Sequence, residues 1–162
     1  MKVVFACDHA GFELKQSLLA YVTSKGYEVE DMGAYEFVAN DDYPDYIALA
    51  SRIVSENPNE TLGIIIGGSG QGEAIMANRF PNVRAVVFNG QYKPTDGRIV
   101  PFEVMTAREH NNANILSLGA RFINEEEAIQ AVDAFLTTRF SGDERHIRRL
   151  GKIEEVTKTI HG

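Results

Sequence analysis

Five short apolar runs are spaced along the chain, and several of them are continuous rather than interrupted by polar residues. They cover residues 3–7, 27–32, 62–66, 83–88 and 115–118 and are rich in Val, Ile and Phe. Such residues favour β-strands, and continuous runs are typical of strands that are covered on both faces. The pattern therefore predicts five strands of a parallel sheet.

Segments with helical periodicity lie between these runs. They cover about residues 12–22, 43–54, 72 or 73 to 79, a segment after Asn124, and residues 142 to about 159. Gly26 closes the first helix at a position that requires a left-handed turn. Asn124 with Glu127, and Ser141 with Glu144, have the spacing of capping boxes that open the last two helices.

The alternation of strands and helices predicts an α/β fold with a three-layer, doubly wound (Rossmann-like), five-stranded parallel sheet. The chain has no internal repeat and no long linker, so residues 1–162 are expected to form a single domain. The one long irregular stretch, residues 89–101, contains Pro94, Gly97 and Pro101. A loop of this length in a compact domain is often functional.

The composition narrows the class of protein. With 162 residues, of which 44% are hydrophobic, the chain can bury a core. A net charge of −7 argues against general nucleic-acid binding, although a local arginine cluster can still bind a small anion. The single cysteine, Cys7, excludes an internal disulfide, and the four scattered histidines lack zinc spacing. Because neither a membrane span nor an apolar leader is found, we expect a soluble, cytoplasmic protein.

The most informative segment is a glycine-rich loop after the third predicted strand. It reads Gly67-Gly68-Ser69-Gly70-Gln71-Gly72 and is followed by Glu73 and a helix. Glycines let backbone N–H groups turn toward a ligand, so the loop suits an anion or an oxyanion. It matches neither a P-loop nor a dinucleotide fingerprint. The alternative is a tight strand-to-helix turn without a ligand, and the density of glycines beside one Ser and one Glu favours the binding site.

Polar residues also follow the first predicted strand. Asp8 and His9 come directly after it, and ligands of such folds bind beyond the carboxyl ends of the strands. Asp8 can instead cap the first helix, and His9 can be an ordinary loop histidine. Glu73 is either a carboxylate that stabilises the start of its helix or a general base in the mouth of the loop. Cys7 lies within the strand and is predicted to be a core residue.

The densest basic patch lies in the last predicted helix. Arg145 and Arg149 are four residues apart and share a face, and two guanidinium groups match the charge and geometry of a phosphate group. His146 and Arg148 lie beside them, and Arg121, just past the fifth strand, could join them. A solvated helix face is the usual alternative for such a run of charges.

Taken together, five short motifs resemble one known family. They are, in chain order, Asp8-His9-Ala10-Gly11, Asp42-Tyr43-Pro44, Gly67-Gly68-Ser69-Gly70-Gln71-Gly72-Glu73, Ala107-Arg108-Glu109-His110-Asn111 and Arg145-His146-x-x-Arg149. Their order is similar to that in the type B ribose-5-phosphate isomerases and the related galactose-6-phosphate isomerase subunits. The resemblance extends over nearly the whole chain.

This resemblance implies a metal-free aldose–ketose isomerisation, of ribose 5-phosphate and ribulose 5-phosphate, through an enediolate and without a cofactor. Glu73 would move the proton between C1 and C2, and His110 would be the acid that opens the furanose ring. The amides of residues 68–72 would stabilise the enediolate oxygen. The implied binding set also includes Asp8 and Asn111 at the sugar hydroxyls, Tyr43 near the sugar, and His9, Arg121, Arg145 and Arg149 at the phosphate.

The resemblance also implies a homodimer, or a dimer of dimers, with active sites shared between chains. His110, Asn111 and Arg121 would then come from the neighbouring chain, and the C-terminal helix would embrace the partner or swap with it. Many members have a cysteine base where this chain has Gly67, so the chain resembles the subgroup that uses the Glu73 position.

The stretch of residues 89–105 looks longer than in common members, which leaves other substrates open. Galactose 6-phosphate or allose 6-phosphate would undergo the same chemistry. A sugar-phosphate-binding subunit that needs a partner chain is a further alternative. The fold class alone would also suit a flavodoxin-like nucleotide or flavin binder.

Overall fold

The computed structural model describes residues 1–161 and contains one five-stranded sheet with helices on either side. The strands are β1 (Lys2–Cys7), β2 (Glu28–Asp31), β3 (Thr61–Gly67), β4 (Ala85–Phe88) and β5 (Ile115–Gly119). The helices are α1 (Phe12–Ser24), α2 (Tyr43–Glu56), α3 (Gln71–Ala77), α4 (Glu103–Asn111), α5 (Glu125–Thr137) and α6 (Glu144–His161). A short 3₁₀ turn (His9–Gly11) precedes α1.

All five strands are parallel, in the order β2-β1-β3-β5-β4. The central strands β1, β3 and β5 are buried almost throughout, which explains why their apolar runs are continuous. The register places Cys7 beside Ile66 and Gly67 beside Gly119. The carboxyl ends of the three central strands therefore lie side by side.

Helices cover both faces of the sheet, and the predicted three-layer α/β arrangement is confirmed. On one face, Ile64 belongs to a core with α1, α4 and α5 that includes Leu18. On the other face, Ile65 packs in a core with α2 and α3 that includes Ile47 and Ala77. Neighbouring strand residues point to opposite faces, so one apolar run supplies both cores. Each fully buried Leu or Ile contributes about 1.5–3 kcal/mol.

The ends of most elements differ from those predicted by one or two residues, and β2, α3 and β4 are examples. β2 is one residue shorter at each end, and α3 begins at residue 71 and ends at residue 77. β4 begins at residue 85 rather than 83, because Val83 belongs to a turn in which its N–H donates to the Phe80 carbonyl. Asn82, just before it, has a positive φ of 63°. Val83 is nevertheless buried, so its apolar character reflects packing rather than strand pairing.

The sequence pattern does not predict α4, because one of the three residues that this helix buries is an arginine. Val104, Ala107 and Arg108 form its buried side. The Arg108 guanidinium donates to the carbonyls of Ala113 and Thr138 instead of pairing with a carboxylate. Because a charged residue takes one of the buried positions, and carbonyls outside the helix satisfy its hydrogen bonds, the sequence of α4 lacks the apolar periodicity by which a helix is predicted.

The two predicted capping boxes have different outcomes. The box of Asn124 and Glu127 at the start of α5 is confirmed by reciprocal hydrogen bonds. The box predicted at Ser141 is wrong, because α6 begins at Glu144 and the Ser141 hydroxyl accepts from the N–H of Asp143. Asp143 directly precedes α6, and its carbonyl accepts the first hydrogen bonds of that helix.

The C-terminal helix α6 leaves apolar side chains in solvent. More than half of Ile147, Ile153 and Val156 is exposed, and with the half-buried Leu150 they recur every three residues. A stripe of this kind is suited to packing against a second protein surface. Neither α6 nor any other helix of residues 1–161 is long and apolar enough to cross a membrane.

Candidate active site

Most of the residues predicted to bind a ligand lie at the carboxyl ends of the parallel strands. Backbone hydrogen bonds join the segments there, from the Asp8 N–H to the Ile66 carbonyl and from the Arg121 N–H to the Gly68 carbonyl. This group is called the first half-site. It consists of Asp8, His9, Tyr43, residues 67–73 and Arg121.

Glu73 is the more deeply buried of the two carboxylates of the first half-site, with 4% of the residue exposed against 8% for Asp8. Its carboxylate lies directly over Gly67, where an added Cβ would be 1.8 Å from Glu73 Oε1. Burial raises the pKa of the Glu73 carboxyl, its own backbone N–H lowers that pKa, and the charge of Asp8 raises it. A buried carboxylate with a raised pKa accepts a proton more readily than an exposed one.

The raised pKa of Glu73 predicts a cost in stability at neutral pH. As pH rises above the usual glutamate pKa of 4.5, the unfolded chain loses this proton before the folded chain does, so folding stability falls until the folded pKa is passed. Glu73→Gln is therefore expected to melt at a higher temperature than the parent at about pH 7, and this gain should shrink toward about pH 4. Thermal unfolding across this range measures it, with the exposed first-turn carboxylate change Glu125→Gln as control. An equal difference at every pH would contradict the prediction.

Gly67 provides the space that the Glu73 carboxylate occupies. A side chain at this position would displace the carboxylate, because every oxygen of that group lies within 2.7 Å of an added Cβ. In the isomerisation that the family resemblance implies, Gly67→Ala is therefore expected to lower kcat about a hundredfold, because misplacement of a reacting group by about 1 Å has an effect of this size. Combining it with Glu73→Gln should cost little more than Glu73→Gln alone. Steady-state kinetics of the single and double variants tests this, and full multiplication of the two losses would refute it.

The sole cysteine does not take part in this arrangement. Cys7 has no exposed surface, as the sequence predicts for a core residue. Burial raises the pKa of its thiol to about 11, so the thiol is uncharged at neutral pH. The titratable side chain that lies directly over Gly67 is that of Glu73.

Two residues that the sequence analysis does not identify hold the glycine-rich loop in place. The buried Ser117 hydroxyl donates to the Gly70 carbonyl at 2.6 Å, and Gly70 has a positive φ of 72°. The Asn89 amide donates to the Ser69 carbonyl at 3.0 Å. Asn89 directly follows β4, which is the same signal that singled out Asp8 after β1. Ser117 lies inside an apolar strand and gives no such signal.

Tyr43 and Arg121 both lie against glycines of the loop. An added Cβ at Gly72 would be 3.0 Å from the Tyr43 hydroxyl oxygen, and one at Gly68 would be 3.1 Å from the guanidinium carbon of Arg121. Arg121 therefore lies at the loop of its own chain, whereas the family resemblance assigns it to the neighbouring chain's site. The close approach of both side chains depends on the absence of a Cβ at these positions.

Asp8 and His9 lie beside this loop. Asp8 Oδ1 accepts from the N–H groups of Ala10 (2.9 Å) and Gly11 (3.3 Å), so Asp8 caps the 3₁₀ turn that precedes α1 and not α1 itself, the helix that the sequence analysis names. His9 Nδ1 lies 2.7 Å from Asp41 Oδ1, a partner that the sequence analysis does not identify. Asp8, His9 and Asp41 offer possible metal-ligand atoms within 4.8 Å of one another. The short contact between His9 and Asp41 is that of a hydrogen-bonded pair.

The remaining predicted residues lie at the opposite edge of the sheet. α4 ends at Asn111, shortly before β5 begins, and Arg84 Nε donates to the Asn112 carbonyl beside the start of β4. The ring of His110 stacks on His146 of α6, with centroids 4.4 Å apart and planes at 12°. This group is called the second half-site. It consists of His110, Asn111, Arg145, His146 and Arg149.

The second half-site carries an excess of positive charge. His146 is buried, and burial lowers the pKa of its ring, as do His110 and the charges of Arg145 and Arg149, while Asp143 raises it. The two arginines are exposed on α6, and Asp143 pairs only loosely with Arg145, at 3.7 Å. Such an arrangement attracts an anionic group from solvent.

The first half-site lies at the carboxyl ends of the parallel strands and the second half-site at their amino ends, so one chain does not bring them together. All five strands run in the same direction, so their carboxyl ends lie on one side of the sheet and their amino ends on the other, and each half-site lies at one of these two sides. Glu73 and His110 therefore belong to different edges of the same chain. The predicted site residues are therefore divided between two separate places in this chain.

The fold and the first half-site define a class: α/β proteins that bind a small ligand with a glycine-rich loop and a buried carboxylate at the carboxyl edge of the sheet. The chain belongs to the Ribose/Galactose Isomerase family, whose profile matches residues 3–153. The family indicated by the five sequence motifs is thus confirmed.

Individual relatives agree with this membership. The chain is 40% identical to ribose-5-phosphate isomerase B of Mycolicibacterium paratuberculosis, over 98% of this chain and 93% of the relative. Among solved structures, it is similar to ribose-5-phosphate isomerase B of Mycoplasma genitalium with bound ribulose-5-phosphate (TM-score 0.86, 36% identity, 97% and 96% of the two chains). The enzyme of Clostridium thermocellum gives the same TM-score and identity over 99% of both chains.

Proposed function

We propose that this protein interconverts ribose 5-phosphate and ribulose 5-phosphate through an enediolate. The observation that carries this proposal is the buried Glu73 carboxylate over Gly67, beside a loop rich in backbone N–H donors. Relatives over nearly the full length are named ribose-5-phosphate isomerase B, and one similar structure holds ribulose-5-phosphate. An aldose–ketose isomerase needs a base that removes a proton from one carbon and returns it to the next, and Glu73 has the required burial.

Glu73 acts as the base in this mechanism. It takes the C2 proton of the open-chain aldose, and the electron pair moves to form the enediolate, whose oxygen accepts hydrogen bonds from amides of residues 68–72. The protonated Glu73 then returns the proton to C1, while the hydroxyl proton of O2 passes to O1, so that C2 becomes the carbonyl carbon and C1 carries the hydroxyl group. The low-dielectric surroundings that raise the pKa of Glu73 also strengthen the hydrogen bonds to the developing oxyanion.

The other residues bind and prepare the substrate. Asp8 and Asn111 hold sugar hydroxyls, Tyr43 lies near the sugar, and His110 acts as the acid that opens the furanose ring. The phosphate is bound by one imidazole and three guanidinium groups, from His9, Arg121, Arg145 and Arg149. Arg121 lies against the loop of its own chain. The arginines of α6 add local positive charge, which phosphate binding needs because the net charge of the protein is negative.

The active form is a homodimer with shared sites. A two-fold axis that brings the first half-site of one chain to the second half-site of its partner completes two sites at once. The exposed apolar stripe of α6, which includes Ile147 and Ile153, provides a surface for the embracing helix. A dimer of dimers would contain the same shared sites.

Conversion of ribose 5-phosphate to ribulose 5-phosphate by the purified protein, with and without EDTA, tests the function. Turnover that is insensitive to EDTA is expected, since Glu73 and His110 perform the proton transfers without a metal. Absence of turnover would overturn the proposal. Assays of galactose 6-phosphate and allose 6-phosphate, and of sugar-phosphate binding by calorimetry, would then separate another substrate from a subunit that lacks its partner chain.

A further inference from the structure

We propose that Asp41 is a positioning residue that fixes the His9 imidazole so that its Nε2 meets the substrate phosphate. The inference rests on the proposed function, in which His9 contacts that phosphate. Asp41 lies between β2 and α2, 32 residues from His9 in sequence, and none of the five motifs contains it. It therefore supports the site through a contact that only the tertiary structure creates.

One carboxylate oxygen holds His9 at two points. Asp41 Oδ1 accepts from the His9 backbone N–H at 3.0 Å and lies 2.7 Å from the ring nitrogen Nδ1. An ionised carboxylate only accepts hydrogen bonds, so Nδ1 is the donor and carries a hydrogen. Nε2 is then the ring nitrogen left for a ligand, and in the imidazolium form, in which both ring nitrogens carry a hydrogen, it donates to a phosphate oxygen. Because backbone and ring bind the same oxygen, the imidazole is held in position relative to its own main chain.

Asp41 is much more buried than His9, as expected if Asp41 positions the ring and the ring contacts the substrate. Only 5% of the Asp41 side chain is exposed, against 28% of the His9 side chain. The carboxylate thus lies behind the ring, and the ring reaches solvent. The other carboxylate oxygen, Oδ2, is buried without a hydrogen-bond partner in the described part of the chain. His9 therefore provides both hydrogen bonds that compensate the burial of this carboxylate.

An aromatic contact restrains the same ring from another direction. Phe37 meets His9 edge to face, with centroids 6.3 Å apart and planes at 87°. Phe37 in turn meets Phe12, at the start of α1, with centroids 6.5 Å apart. The segment that carries Asp41 therefore contacts the imidazole through both a carboxylate and a ring. This arrangement restricts rotation of the imidazole before substrate binds, which lowers the entropy lost on binding.

Kinetics of three single variants test this role. Asp41→Ala should raise KM for ribose 5-phosphate and Ki for inorganic phosphate about tenfold, with kcat changed less than about twofold, because the phosphate contact lies away from the reacting carbons. Asp41→Asn keeps an acceptor oxygen and should restore most of the binding, to within about threefold. Glu36→Gln removes an exposed carboxylate of the same segment and should change neither constant.

A double variant and a spectroscopic readout separate positioning from a general structural effect. In a His9→Gln background, Asp41→Ala should add almost nothing to the rise in KM. In protein with ¹⁵N-labelled histidine, the His9 signals should show a hydrogen fixed on Nδ1 in the parent and a mixture of tautomers in Asp41→Ala. An unchanged KM, a loss confined to kcat, additive effects in the double variant, or an unchanged His9 signal would overturn the inference.

The same experiments distinguish this inference from the proposed function. If the parent protein does not turn over ribose 5-phosphate, the proposed function fails. The His9 nitrogen signals and titration with inorganic phosphate then decide the role of Asp41 by themselves. Weaker phosphate binding and mixed tautomers in Asp41→Ala would support it, and parental values of both would refute it.

Discussion

Replacing Glu73 with glutamine is expected to lower kcat for ribose 5-phosphate by a factor of about 10³, within the range by which a positioned base contributes to catalysis. Glutamine has nearly the same shape, so it fits the space over Gly67. It cannot accept the carbon-bound proton, however. The Kd for a non-reacting phosphosugar should change less than about threefold, because Glu73 does not contact the phosphate in the proposed mechanism.

The measurement is steady-state kinetics together with calorimetric titration of an inert sugar phosphate. Glu125→Gln, a change of an exposed first-turn glutamate in α5, is the matched control and should leave both constants as they are. Retained turnover in Glu73→Gln would show that another group transfers the proton. A loss of binding as large as the loss of turnover would show that Glu73 acts mainly on the structure of the loop.

Two inactive variants are expected to restore activity to each other when they share a dimer. In a dimer of one Glu73→Gln chain and one His110→Asn chain, one site combines both changes and the other site has neither. Doubly tagged heterodimers from co-expression should therefore show about one half of the parental kcat per dimer, although each homodimer is nearly inactive. This follows from the placement of Glu73 and His110 at opposite edges of the sheet.

A pair of changes within one half-site is the control for this experiment. Heterodimers of Glu73→Gln with Asp8→Asn have one defect in each site, because both residues belong to the first half-site, and they should show no gain over the mean activity of the two homodimers. Failure of the Glu73→Gln and His110→Asn pair to regain activity would contradict shared sites. Thermal unfolding of each homodimer verifies that the His110 change, which removes the stacking partner of His146, leaves the fold intact.

The elements that the sequence predicts well are those whose signal is local. Continuous apolar runs indicated the central strands β1, β3 and β5 because these strands are covered on both faces. The capping box at Asn124 was identifiable because its partners are three residues apart. The α4 helix gives no such signal, since its buried Arg108 is satisfied by carbonyls of residues outside the helix.

The candidate site shows the same division. The glycine-rich loop and Glu73 were evident from residue types and their order along the chain, because glycine by itself indicates a tight turn or a close approach of the backbone to a ligand. Asp41, Asn89 and Ser117 were not, since each acts on a residue between 20 and 47 positions away. Asn89 directly follows β4 as Asp8 follows β1, but nothing in the local sequence distinguishes Asp41 or Ser117 from ordinary loop or strand residues.

The sequence by itself therefore determined the fold class, the loop at the carboxyl edge of the sheet and the family, because all three depend on residue type and order along the chain. Only the tertiary structure decided that Glu73 is buried over Gly67, that His9 is held by Asp41, and that His110 lies at the opposite edge from Glu73. The physical reason is that burial, hydrogen bonding and the separation of the half-sites are set by distances between segments far apart in the chain.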